Sequence, residues 1–406
     1  MKNLVIIGTV FPEPNSTAAG TRMLQLIDLF LKMDFKIHFL SAANTSDFSH
    51  DFKNLEVEFF NIKLNDDSFD DLMKDISPEI VLYDRFISEE HFGWRVEKVG
   101  PEVMTVLETV DLHFVRKARE NAYKKNGNLE HVEFITEIFK REMASIFRCD
   151  LSLIISEFEM KLLEETFKVN SSILHYIPMF VEEKKKSKIS FSERKDFVSI
   201  GNFLHEPNWQ TVLQLKKIWP LIKAKLPKAN IQIYGAYLPE KAKQLHNEKE
   251  GFLIKGRAES VKKVLDESRI LLAPIPFGAG IKGKLLDSMQ FGLPNITTEI
   301  GAEGMHGNLP WNGKIKDDLT EFSEAAIQLY QDENAWNITQ ENGYKILENR
   351  FSKNQFADDF KEKIEEISKN LEPHRENNYF GQILQHHTLQ STKYMSLWIA
   401  EKNKKV

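Results

Sequence analysis

Short apolar runs, each followed by a segment of helical periodicity, recur along almost the whole chain, and this alternation restricts the fold more than any other feature. Residues 3–8 (Asn-Leu-Val-Ile-Ile-Gly) read as a buried strand ending at a glycine. A polar loop through Ser16-Thr17-Ala-Ala-Gly20 follows, and then an amphipathic helix from about residue 21 to 32. Further strands fall at 35–41, 55–62, 79–84, 103–108, 151–156 and 171–177, with helical segments between most of them. Strands alternating with helices predict a parallel sheet covered on both faces.

After Pro178 the residues 181–195 are charged and poor in apolar side chains, which predicts a linker over 181–196. The alternation then restarts at 196–202, 229–235, 251–256, 269–274 and 294–299, and from Leu319 the chain is helical almost to its end. An internal match supports two similar halves. Residues 5–15 and 198–208 agree at six of eleven positions, and in each a strand ends at Gly before a loop feeds a helix near Pro-Asn. The expected fold is α/β, two doubly wound domains facing a cleft, with domains at 1–180 and 197–375. In such sheets ligands sit outside the carboxyl ends of the strands. Pro373 and a polar stretch set off 379–402, a final helix expected to return to the first domain and bury Phe380, Ile383, Leu384, Met395, Leu397 and Trp398.

A length of 406 residues suits two domains at roughly 150 residues each. The balance of 54 Lys and Arg against 60 Asp and Glu gives −6, a poor basis for general nucleic-acid binding. Cys149 is the only cysteine, so no intrachain disulfide or thiolate zinc site can form. The apolar run at the N-terminus is too short for a signal peptide, and no run of about 18 apolar residues occurs. The expected location is the cytoplasm. No Asp-x-Asp occurs, the acidic cluster at 66–71 has helix-start spacing, and His386-His387 stands without partners, so no metal is expected.

The segment 270–294 is the richest in chemistry. A strand leads into a loop with Gly278, Gly280 and Gly283, then a short helix from about 281 to 291. Free N–H groups at a helix start attract anions, and Lys282 and Lys284 add positive charge where the helix dipole disfavours it. A bound phosphate explains that placement; solvated surface lysines are the alternative. The same loop matches G-x-G-x-x-G, with Glu299 about where a dinucleotide fold places its ribose acid, so a dinucleotide-dependent oxidoreductase is a competing reading. In the first half, Asp111 and His113 follow a strand's carboxyl end and point toward the cleft, although Asp111 also fits a helix N-cap. Asp84 and Arg85 close another strand, as a cleft pair or an internal ion pair. Ser156-Glu157 reads as a helix cap.

The run Lys284-Leu-Leu-Asp287-Ser-Met-Gln-Phe-Gly292-Leu-Pro294, with Thr298 to Gly304 beyond it, resembles the donor-binding segment of GT-B glycosyltransferases, in particular family 4 and the glycosyl transferases group 1. The turn Gly201-Asn202-Phe-Leu-His205-Glu-Pro-Asn208 and the first-half runs at 83–86 and 108–114 share the resemblance. It implies a nucleotide-diphosphate sugar as donor and co-substrate, no cofactor, a glycan or lipid-linked acceptor, and kinship with enzymes of cell-surface polysaccharide synthesis that retain configuration and need no metal. Association with the inner membrane face is implied as an option. Asp287 takes the place of the ribose-binding glutamate, while the glutamate that touches the sugar is replaced by Ala279. The resemblance assigns donor contacts to Gly201, Asn202, His205, Gly278, Gly280, Lys282, Lys284, Asp287 and Glu303. It assigns catalysis to Asp111, His113 and Lys284, and the acceptor side to Gly20, Asp84 and Arg85. The missing glutamate also admits a catalytically inactive GT-B binding protein.

Overall fold

The computed structural model describes residues 2–46, 48–50, 56–181, 186–386, 391–392, 394–396, 398–399 and 402. The first sheet holds β1 (Lys2–Gly8), β2 (Phe35–Ser41), β3 (Val57–Asn61), β4 (Ile80–Asp84), β5 (Met104–Glu108), β6 (Leu151–Ile154) and β7 (Leu174–Tyr176). All pairings are parallel, in the order β3-β2-β1-β4-β5-β6-β7. The second holds β8 (Lys195–Ile200), β9 (Ile231–Tyr234), β10 (Phe252–Gly256), β11 (Ser268–Ala273), β12 (Asn295–Thr297) and β13 (Gly313–Ile315), in the order β10-β9-β8-β11-β12-β13. The strand order reverses beside β1 and again beside β8, and each reversal opens a crevice at the strands' carboxyl ends. Because helices cover both faces, the central strands carry continuous apolar runs, and Leu4 to Ile7 are all fully buried.

Several details depart from the sequence reading. The first helix begins at Ala18, inside the small-residue loop, because Thr17 caps it by accepting from the Gly20 amide at 3.0 Å. The expected linker is partly domain: Arg194 is fully buried and donates to Leu265 O at 2.6 Å and Phe291 O at 2.8 Å, and Phe191 packs edge-on against Trp336. Residues 182–185 lie outside the described residues. The short strand β13 carries no pattern that the sequence reading found.

The larger correction is where the chain returns. Helices Leu319–Gln331 and Glu333–Arg350 pack on the second sheet. At Phe351 the chain runs beside the first crossing, with Val181 N donating to Phe351 O at 2.8 Å. Helix Ala357–Lys369 then inserts Phe360, Ile364 and Ile367 into the first domain's core, so the return precedes residue 379 and the second domain does not extend to 375. Pro373 marks no boundary. It sits in the first turn of helix Leu371–Asn377, where its missing N–H costs nothing. Arg375 from that helix pairs with Asp150 at 2.7 Å.

The final segment is not one helix. Helix Tyr379–Gln385 packs on the first domain, with Phe380 against Phe147 at 5.6 Å and Asn378 Nδ2 donating to Phe147 O at 2.7 Å. The apolar side chains expected to be buried are largely exposed, Ile383 at 63% and Trp398 at 60%, with Phe380 and Met395 also exposed. Leu397 and His387 lie outside the described residues. Among the described residues no helix is long and apolar enough to cross a membrane.

Candidate active site in the interdomain cleft

The carboxyl ends of both sheets face one cavity of about 1160 Å³, larger than the ~300–1,000 Å³ usual for one small ligand. On the second-domain side, β11 feeds the loop 274–282 and then helix Gly283–Gln290. Among the described residues no side chain caps this helix at Lys282; Leu285 N donates to Lys282 O at 2.8 Å, and the N–H groups of Gly283 and Lys284 remain for a ligand or water. Gly283 has no room for a side chain, since a Cβ there would stand 2.8 Å from that of Ala18 in the first domain.

Lys284 lies in the first turn of this helix and reaches the cavity. Its Nζ donates to Asn208 Oδ1 at 2.7 Å, and among the described residues no carboxylate pairs with it. Burial alone brings its ammonium down to about 8. Lys282 is buried, donates to Gly280 O at 2.8 Å, and is brought to about 8 by burial against the opposing pull of Glu303. Asp287, three residues beyond Lys284, shares its helix face and lines the cavity. The turn after β8 supports this arrangement. A Cβ at Gly201 would meet the Asn208 side chain at 2.7 Å, and Asn208 Nδ2 holds Asn202 O at 2.9 Å while its other end receives Lys284.

The first domain supplies the opposite wall from the ends of β4 and β5. Arg85 and Val110 both lie in the left-handed region, at φ 69° and 64°, uncommon for any side chain and an outlier for a β-branched one. Arg85 donates to Thr9 Oγ1 at 2.8 Å and Asp84 Oδ2 at 3.3 Å. Asp111 accepts from Arg116 Nε at 2.7 Å, and His113 Nε2 stands 3.4 Å from its other oxygen. Burial would raise the Asp111 carboxyl, yet Arg116 and His113 hold it well below the usual carboxylate range. His113 is brought to about 4, by burial first and despite Asp111. His205, facing them from the second domain, is likewise brought to about 4 by burial and by Arg116. Both rings are neutral at pH 7.

Asp111 is therefore not the cap of the helix His113–Asn126. Glu142 fills that role, taking the amides of His113 at 3.0 Å and Phe114 at 2.8 Å. Of the residues singled out from sequence, Arg85, Asp111, His113, Gly201, Asn202, His205, Gly278, Lys282, Lys284 and Asp287 line the cavity together. Four do not line it. Glu303 is held by both Arg119 nitrogens, at 2.8 and 2.7 Å, rather than turned to a donor. Gly280 backs the loop, Asp84 backs Arg85, and Gly20 lies beneath the first helix start, where a Cβ would come within 2.4 Å of Glu13. Ser156 precedes helix Glu157–Lys161 without a side-chain capping bond.

Sequence reasoning passed over Arg116, Arg257 and Lys353, which also line the cavity. Arg116, one turn past Asp111, was readable; the other two come from a loop and a crossing with no pattern of their own. The dinucleotide reading loses its acid: Glu299 is exposed at the start of helix Glu299–Ala302 and does not line the cavity. Among the described residues no group of three or more His, Cys, Asp or Glu side chains is placed to hold a metal ion.

Residues 194–332 match the family described as Glycosyl transferases group 1. No curated protein matches the chain in sequence. Among solved structures, the chain is similar to sucrose-phosphate synthase from Thermosynechococcus elongatus, with a TM-score of 0.67, 12% identity, and coverage of 90% of this chain and 99% of that one. It is similar to the pneumococcal O-GlcNAc transferase GtfA in complex with UDP and GlcNAc, with a TM-score of 0.67, 13% identity, and coverage of 90% and 99%. It is also similar to S. aureus TarM, a structure that contains UDP, with a TM-score of 0.67, 9% identity, and coverage of 91% and 100%.

Proposed function

We propose that this chain, of the GT-B fold and with a second domain of the glycosyl transferases group 1 type, moves a sugar from a nucleotide-diphosphate donor to a glycan or lipid-linked acceptor. The family match over the second domain and the fold support a nucleotide-sugar-dependent glycosyltransferase; the donor's position and the roles of single residues are our reading. One observation carries that reading. Lys284 brings a desolvated ammonium, hydrogen-bonded among the described residues to a neutral amide alone, to the uncapped start of a helix that opens on the cavity. A diphosphate supplies the charge that this place lacks. Asp287, on the same face, is positioned to accept from ribose hydroxyls, and a nucleoside diphosphate presents both groups at once.

Transfer breaks the bond between the sugar's anomeric carbon and a phosphate oxygen, leaving negative charge on the diphosphate. Lys284 and the helix start oppose that charge where it grows. Asp111, held ionised by Arg116, places a fixed negative charge on the facing wall, where the sugar becomes electron-poor. Neutral His113 beside it can donate or accept a single hydrogen bond to the sugar or the attacking hydroxyl. These groups give the leaving diphosphate its stabilisation without a metal, and we read the reaction as metal-independent. Retention of configuration, a role in cell-surface polysaccharide synthesis and contact with a membrane face are carried by the family likeness.

A panel of UDP- and GDP-sugars, with product analysis by mass spectrometry and proton NMR, tests the reading. Release of a nucleoside diphosphate with an α-linked product from an α-donor, unchanged by a chelator, is the expected outcome. Binding of NADH in preference to every nucleoside diphosphate contradicts it.

A further inference from the structure

We propose that Arg119 and Glu159, first-domain side chains outside the cavity, are positioning residues that set the shape of the donor loop 278–280 when the two domains are closed. The inference rests on the nucleotide-sugar reading of the cavity. The loop belongs to the second domain, yet two of its backbone groups are satisfied by the first. Gly278 O accepts from Arg119 Nη1 at 2.8 Å, and Gly280 N donates to Glu159 Oε1 at 2.9 Å. Between them Ala279 lines the cavity. Buried backbone groups need partners, so loss of either side chain leaves a loop group to seek water.

Each clamp is itself braced. Arg119 grips both Glu303 oxygens and lies over the Phe158 ring at 4.8 Å, next to Glu159 in the chain. Its planar fork reaches a carbonyl and a carboxylate together, which a lysine ammonium cannot do with the same geometry. Glu159 is fully buried; its Oε1 also takes the Leu112 amide at 2.9 Å, while its Oε2 has no hydrogen-bond partner. Burial and nearby Asp111 push its carboxyl up, against the two amides it accepts from. Gly280 lies at φ 61°, and a Cβ there would stand 2.8 Å from that of Asp111. The clamp therefore fixes the spacing between Ala279 and Asp111, two cavity residues on opposite domains. Lys284 and Asp287 lie on the helix beyond the loop, so loosening the loop spares the nucleoside diphosphate and loosens the place of the reacting sugar.

The test compares Arg119→Lys, Glu159→Ala and Glu159→Gln with the wild type, each checked by thermal melt. It combines UDP titration, hydrolysis of UDP-glucose, UDP-galactose and UDP-N-acetylglucosamine, and hydrogen exchange of the 275–283 segment. We expect Arg119→Lys and Glu159→Ala to bind UDP within about threefold of wild type while turnover falls at least tenfold. Glu159→Gln, which keeps an accepting oxygen for the Gly280 amide, should recover most of that loss, and the Gly280 amide should be protected in wild type and exchange faster in Glu159→Ala. Wild-type turnover in both loss variants, or an equal fall in UDP affinity and turnover, overturns the proposal. Should Glu159→Ala fail to fold, Arg119→Lys decides on the same criteria. Exchange reads the clamp whatever the substrate: an unprotected Gly280 amide in wild type overturns the clamp, whereas a protected amide in a chain that binds no UDP supports the clamp and contradicts the donor site instead.

Discussion

At the scale of residues, the cavity owes its chemistry to groups held away from their ordinary protonation behaviour. Lys284 loses its proton near 8 rather than 10.5. Only the charged form can hold a diphosphate, so kcat/KM for the donor is expected to be highest below pH 8 and to fall as pH rises through that value. His113 and His205 are neutral down to about 4, so the profile should show no step near 6.5 between pH 5.5 and 7.5. Initial rates at low donor concentration across pH 5 to 10 check both, and a step near 6.5 would mean that a histidine charges during the working range. Asp287→Ala should weaken UDP while leaving inorganic pyrophosphate nearly unaffected, because only UDP offers ribose hydroxyls; competition titration with both ligands measures the contrast. Lys284 was legible from sequence because a cation in a helix's first turn after a glycine loop is a local pattern, whereas Asp287 was singled out only through the family resemblance. Arg119 and Glu159 were not, since their partners lie far away in the chain and only the closed fold brings them together.

At the scale of elements, strand ends place the site and the helical tail holds the scaffold. Val110 joins β5 to Asp111 in a left-handed conformation that costs about 1–3 kcal/mol for such a residue. Val110→Gly relieves that strain, so the melting midpoint should not fall, while turnover should drop as Asp111 gains freedom; a lower midpoint with full activity would show the strain to be idle. The strands themselves were readable because a two-faced buried strand is a continuous apolar run. The domain assignment of the tail was not, because nothing in the sequence of helices Glu333–Arg350 and Ala357–Lys369 says which of the two cores each enters. Phe360, buried edge-on against Phe30 at 5.4 Å, lies in the first domain's core despite following the second domain in sequence. Phe360→Ala should cost about 3–5 kcal/mol, and differential exchange should show the opening in the first sheet. Loss confined to the second sheet would contradict the assignment.

At the scale of the molecule, the two sheets close on the cavity through contacts that span it on several sides. Tyr237 of the second domain donates to Glu13 at 2.9 Å, Arg119 grips Glu303, and Arg350 pairs with Glu157 at 2.6 Å beside the crossing. This arrangement places the uncapped helix and its lysine opposite the Asp111–His113 wall, and the central claim is that a donor diphosphate sits between them. The most direct measurement is isothermal titration of UDP into the wild type and Lys284→Ala at pH 7, with folding verified by thermal melt. Loss of a charge-assisted contact is worth roughly 1.5–3 kcal/mol, so affinity should fall about tenfold to hundredfold. Equal UDP affinity in the two folded proteins would contradict the account and place the donor elsewhere.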